Sequence, residues 1–300
     1  MMKILQGGVP KCGNFWLYQI IQQILERIGN STTSFIEQQP IYRLAKEWDL
    51  NFPEQARIDV LEITDLQDSY RISSIYRKPV DNLKEYISQT THVWTHSPIC
   101  KRSGEVLELF DKKVYIIRDP RDRALSAAKY YCSPYMLKYF PQEETDPAKF
   151  LQKNYEQLMH EWVWHVFDHL RLSSKYNIHI CFYEGFLLHF QQELDRLLVY
   201  LELELSQAKR QELESAVSFS TLKKQNPKHL KKGTAGYWLE GLTDEQVEKA
   251  DTITGPLLQH LGYPRQRSQH LHYSPQAEEA NINFEQLKLD IIESQQPLYQ

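Results

Sequence analysis

The chain reads as an α/β protein with a mainly parallel sheet, and three stretches carry that reading. Ile4 and Leu5 make a short apolar strand ending in Gly7-Gly8; Trp16, Leu17, Ile20, Ile21, Ile24, Leu25 and Ile28 then recur at helical spacing until Gly29. Lys113–Ile117 is a buried strand that runs straight into Asp119-Pro120, an N-cap followed by a residue suited to the first helical position. Ile178–Phe182 is a further strand, with an amphipathic helix over Phe186–Leu201 behind it. Strands that alternate with helices imply a parallel sheet covered by helices.

In chain order, the first informative stretch is Gly8-Val9-Pro10-Lys11-Cys12-Gly13-Asn14-Phe15-Trp16. Here a strand feeds a glycine-bearing turn and a helix N-terminus, whose backbone N–H groups lack intrahelical partners and lie at the positive end of the dipole. An anion suits that position. Gly8 and Gly13 have the glycine spacing of a Walker A loop, but Asn14 and Phe15 stand where Lys and Ser/Thr are required, and the lysine sits inside the loop as Lys11. Cys12 does not fit a thiol phosphatase either, because position 18, where the arginine should be, is Tyr18. The turn alone leaves a strand–turn–helix without ligand equally open.

The 300 residues are 41% hydrophobic, enough for a substantial core, and the formal net charge of −4 argues against a general nucleic-acid binder. Cys12, Cys100, Cys132 and Cys181 lack metal-ligand spacing or a disulfide framework. With no signal peptide ahead of the first strand and no apolar run of transmembrane length, the expectation is a soluble, cytoplasmic protein without stable membrane insertion.

Helical pieces are expected at Gln38–Trp48 and Asp81–Ile87, and a strand near Ile58–Ile63. Thr91–Pro98 is a β-prone run that places His96 at a strand end, where ligands collect in open α/β sheets. Arg118 stands at the end of the Lys113–Ile117 strand, and Ser126 about two helical turns on. Arg118, Arg121 and Arg123 pairing with Asp119 and Asp122 on a solvated face is the plainer alternative. Phe150–Leu170 reads as a long helix; His165 and His169 share a face but have no supporting ligand motif, so a packed aromatic helix is the reading. Lys231-Lys232-Gly233 opens a basic, glycine-punctuated loop, and Thr243 with Gln246 forms a capping box for the last core helix. Residues 1–265 read as one domain and 266–300 as a polar tail, with a short helix or flap around Phe284–Ile292.

Together and in this order, the segments resemble the sulfotransferases that use 3′-phosphoadenosine 5′-phosphosulfate (PAPS) and release the bisphosphate PAP. Pro10-Lys11-Cys12-Gly13-Asn14-Phe15-Trp16 is similar to the family's 5′-phosphosulfate turn, and Trp94-Thr95-His96-Ser97-Pro98 to its base-bearing Lys-Thr-His-Leu-Pro. Arg118-Asp119-Pro120-Arg121-Asp122 with Ser126 resembles the 3′-phosphate segment; Tyr183-Glu184, Ser218-Phe219 and Lys231–Trp238 match further family motifs. The resemblance implies a three-layer P-loop-like fold with a central, mainly parallel sheet flanked by helices. It implies PAPS as sulfuryl donor, a small-molecule hydroxyl or amine as acceptor, His96 as general base, Lys11 on the leaving phosphate oxygen, and no metal. The nucleotide would meet Lys11, Cys12, Gly13, Asn14, Phe15, Trp16, Arg118, Ser126, Tyr183, Ser218, Phe219, Lys231, Lys232 and Gly233. Departures are Cys12, Asn14 and Phe15 for hydroxyl residues, Trp94 for a lysine, and Lys231 for an arginine. A diverged nucleotide or small-molecule kinase, or a non-catalytic nucleotide-binding protein, remains the alternative. The sequence leaves acceptor identity and oligomeric state open.

Overall fold

The computed structural model describes residues 2–225, 233–268 and 282–295. Its sheet has the order β4-β3-β2-β5-β1-β6-β7, with β1 at Ile4–Gly7, β2 at Asp59–Ile63, β3 at Asp68–Ile72, β4 at Tyr76–Pro79, β5 at His92–Thr95, β6 at Lys112–Ile117 and β7 at Ile178–Phe182. β2, β5, β1, β6 and β7 are parallel, and β3 and β4 extend the sheet as antiparallel strands. Helices flank the sheet, as expected. The hairpin was not foreseen, because β4 is mostly exposed and charged, as edge strands are when they resist pairing with another chain.

α1 spans Asn14–Arg27, with Leu17, Ile20, Ile21, Ile24 and Leu25 buried, so the apolar stripe in the sequence is the face it lays on the sheet. Gln38–Trp48 holds only a short α2 at Ile41–Ala45, and Asn82 caps α3 at Leu83–Ser88. α4 (Ser103–Leu107) precedes β6; α5 (Pro120–Tyr131) starts at the Asp119 cap, and α6 spans Pro134–Tyr139. α7 (Pro147–Tyr176) is longer at both ends than its periodicity indicated, because Asp146 caps it and Asn177 ends it in the left-handed region. The Phe186–Leu201 helix is two helices, α8 (Tyr183–Leu188) and α9 (Phe190–Leu201), broken at His189, φ −139° and ψ 52°.

α10 (Gln207–Ala216) and α11 (Phe219–Gln225) follow, then α12 (Trp238–Gly241), α13 (Asp244–His260) with the expected capping box, and α14 (Phe284–Gln295). α14 buries Leu287 and Ile291, and Gln295 donates to the Ile253 carbonyl of α13 at 3.2 Å. Among the described residues, no helix is long and apolar enough to cross a membrane.

Candidate active site

The turn between β1 and α1 is tight. Lys11 and Gly13 lie in the left-handed region, with φ 74° and 96°, and the Cys12 N–H closes onto the Val9 carbonyl at 3.2 Å. Gly13 is the N-cap, and no side chain caps the helix, which leaves the first-turn N–H groups for an anion. A Cβ on Gly13 would lie 2.5 Å from the Tyr183 ring, and one on Gly8 2.5 Å from Asn14 Oδ1; only glycine allows these approaches.

The side chains of the turn serve its shape. Asn14 Nδ2 donates to the Val9 carbonyl at 2.9 Å, and Gln6 donates to the Asn14 carbonyl at 2.7 Å. Cys12 is fully buried, and burial pushes its thiol up to about 12, so it stays protonated and is no nucleophile. Phe15 joins Tyr18, Phe52, Ile58 and Trp94 in an aromatic cluster apart from the main core. Two departures from the family pattern, Phe15 and Trp94, thus pack in one place. Lys11 holds its ammonium 4.1 Å over the Tyr130 ring; burial, then the Arg118 charge, lower its pKa to about 8.

His96 follows β5 and is fixed at both ring nitrogens. Nδ1 lies 2.6 Å from the Gly8 carbonyl, which can only accept, so Nδ1 carries the proton. Nε2 is therefore the acceptor, and the Trp94 indole N–H donates to it at 3.1 Å. Burial lowers the imidazole pKa to about 4, so the ring is neutral at physiological pH. His165, read from the sequence as part of a packed aromatic helix and not as a metal ligand, donates through Nε2 to the His96 carbonyl at 3.2 Å; its Nδ1 accepts from Tyr115 Oη at 2.7 Å. Local sequence spacing carries no sign of this partnership, because 69 residues separate the two histidines.

Arg118, at the end of β6, reaches the Lys11 and Thr234 carbonyls, both at 3.3 Å, and its guanidinium lies 4.2 Å over Tyr183. Its Nε is buried without a partner, which leaves a donor for an anion. Trp16 meets Tyr183 edge-on at 5.4 Å and donates to the Val217 carbonyl at 2.8 Å, bringing Ser218 and Phe219 to the turn. Ser218 accepts from the Thr221 N–H at 3.3 Å, and Gly233 lies against Phe219. Ser126 is half-buried on α5. Lys231 and Lys232 lie outside the described residues.

The surface ion-pair alternative for Arg121 and Arg123 is wrong: both are fully buried. Arg121 pairs with Asp119 at 2.6 Å, donates to the Pro264 carbonyl at 2.6 Å and covers Trp238 at 3.6 Å. Arg123 donates to the Pro10 carbonyl at 3.0 Å and the Leu158 carbonyl at 2.8 Å, bracing the turn from beneath. Asp122 accepts from the N–H groups of Gly236 at 2.8 Å and Trp238 at 2.7 Å, which anchors the end of the closing loop. Glu184 accepts from the Asp119 N–H at 3.0 Å and from Tyr263 Oη at 2.8 Å; burial raises its pKa to about 7.

A mainly parallel sheet whose first strand ends in a glycine turn and an uncapped helix start, with half-buried Arg118 at the end of the neighbouring strand, is an α/β fold of the P-loop-like class. A sequence model of the sulfotransferase domain matches residues 3–262, and the chain belongs to that family and is a sulfotransferase. Solved structures of similar fold include mouse sulfotransferase SULT7A1 complexed with PAP, at 19% identity and TM-score 0.54, covering 85% of this chain and 83% of that one. Retinol dehydratase in complex with androsterone and inactive cofactor PAP is similar at 16% identity and TM-score 0.57, covering 88% and 83%. Its complex with retinol and PAP gives 16% and 0.56, covering 85% and 81%.

Proposed function

We propose that the chain transfers a sulfuryl group from PAPS to a hydroxyl or amine of a small-molecule acceptor, with His96 as general base. The observation that carries this is the tautomer of His96: Nδ1–H is held by the Gly8 carbonyl, and the basic Nε2 lies beside the turn that would hold the donor. Burial keeps that nitrogen unprotonated near neutrality. The residues present suit the nucleotide: an uncapped helix start, and an Arg118 with a buried, unpartnered Nε.

Bound PAPS supplies the sulfuryl group and departs as PAP. The protein's part is positioning and charge. His96 Nε2 takes the acceptor proton, and the imidazolium so formed keeps its Nδ1–H on Gly8. Lys11 leaves Tyr130 to neutralise charge on the departing 5′-phosphate oxygen. The first-turn N–H groups of α1, from Asn14 to Trp16, hold that phosphate, and Arg118, Ser126 and the Lys231–Gly233 segment select the 3′-phosphate. Tyr183, Ser218 and Phe219 line the adenine side. The catalytic domain spans 1–265.

A thermal-shift comparison of PAP with ATP plus Mg²⁺ tests the reading, because a ligand that binds the native state raises its stability. Stabilisation by PAP is expected; stabilisation by ATP plus Mg²⁺ alone would favour the kinase reading instead.

A further inference from the structure

On the acceptor side of His96 the sheet carries a row of residues from three adjacent strands. Trp94 of β5 is level with Val60 of β2, and Val60 with Arg71 of β3. Residues paired across strands share a face, so Arg71 stands on the same face as the Trp94 indole, two strands away, roughly 10 Å at the usual strand spacing. Between them lies the aromatic cluster of Phe15, Phe52 and Trp94, with Val60 packed against it. The row thus has the base near one end and a guanidinium at the other, with a buried, close-packed aromatic cluster between them.

That guanidinium is loosely held. Arg71 Nη1 is 3.8 Å from Glu62 Oε2, while Arg77 Nε takes the same oxygen at 3.1 Å, so one carboxylate serves two arginines and one positive charge is left over. Its other bond, to the Ser73 carbonyl, is long at 3.3 Å. Tyr135 of α6 bonds Ser73 and ties the hairpin to the helices beyond α5. The charge of Arg71 is also felt by His96, Tyr130 and Tyr131, which puts it beside the same site. Arg71 is not there simply to guard an edge, since β4 lies outside it.

We propose that the acceptor carries an anionic group bound by Arg71, at the far end of an aromatic or flat apolar body whose hydroxyl meets His96. The fork of an arginine suits a carboxylate or a sulfate held through two oxygens. This inference rests on the sulfotransferase site described above, and the test separates the two.

With PAP bound to the full chain, calorimetry compares 4-hydroxyphenylacetate with its methyl ester, which keeps ring and hydroxyl but removes the charge. The acid is expected to bind at least about tenfold more tightly. Arg71→Gln should abolish the difference while leaving PAP affinity unchanged, and Arg71→Lys should retain part of it. Equal binding of acid and ester, binding of neither, or a preference that survives in Arg71→Gln overturns the proposal. If PAP itself does not bind, the donor-site reading falls, and this inference with it.

Discussion

Trp94→Phe is the sharpest perturbation of the proposed base. The indole N–H occupies the lone pair of His96 Nε2 at 3.1 Å, the electron pair that would receive the acceptor proton under the proposed mechanism. A neutral hydrogen bond of this kind is worth about 1 kcal/mol net. It favours the unprotonated ring, so its loss should raise the His96 pKa by roughly half to one unit, at about 1.4 kcal/mol per unit. Burial, the main cause of the value near 4, is largely retained, so the ring still titrates below 6.5. An acceptor hydroxyl would no longer displace the indole, and kcat/KM at neutral pH should rise about fivefold for that same ~1 kcal/mol. The smaller ring leaves a gap beside Phe15 and Phe52, lowering Tm by a few degrees. The assay is an NMR titration of the His96 ring nitrogens in both proteins, alongside steady-state kinetics. An unchanged Nε2 shift and titration would refute the masking argument, and a tenfold fall in kcat/KM would mean that the indole takes part in turnover.

His96→Ala should lower turnover by about 10²–10⁴-fold while sparing PAP binding; near-normal sulfate transfer would remove His96 as the base. The pH profile of kcat/KM should rise near pH 4, as His96 loses its proton, and fall near pH 8, as Lys11 loses its own. An acid limb at 6.5 would contradict the buried, neutral base. Gly13→Ala forces a side chain into the left-handed region, at roughly 1–2 kcal/mol, and against the Tyr183 ring; Tm and PAP affinity should fall together, measured by calorimetry. Arg118→Ala should weaken PAP about 10–100-fold, the loss of a charge-assisted bond, and affect adenosine 5′-monophosphate less. Equal loss for both would place Arg118 away from the 3′-phosphate.

What the sequence displayed was local. The strand, turn and helix at Ile4–Arg27, the Asp119-Pro120 start of α5 and the Thr243–Gln246 box all depend on neighbours a few residues apart, and each stands where periodicity and capping put it. The hairpin of β3 and β4 was hidden because only Tyr70 and Ile72 of β3 mark a buried face, and β4 is mostly exposed and charged. Arg121 and Arg123 read as surface charges because their neutral acceptors, the carbonyls of Pro264, Pro10 and Leu158, lie far along the chain. The pairing of Trp94 with His96 was within reach, since residues two apart on a strand share a face. The tautomer it enforces was not, as that needs Gly8.

The bond between His96 Nδ1 and the Gly8 carbonyl joins the proposed base to the proposed donor turn through one backbone group. Gly8 belongs to the turn that would receive the donor, so any adjustment of that turn on nucleotide binding is passed to the imidazole facing the acceptor. Coupling between sites is reciprocal in binding free energy. Whatever factor the bisphosphate imposes on acceptor affinity, the acceptor must return to the bisphosphate.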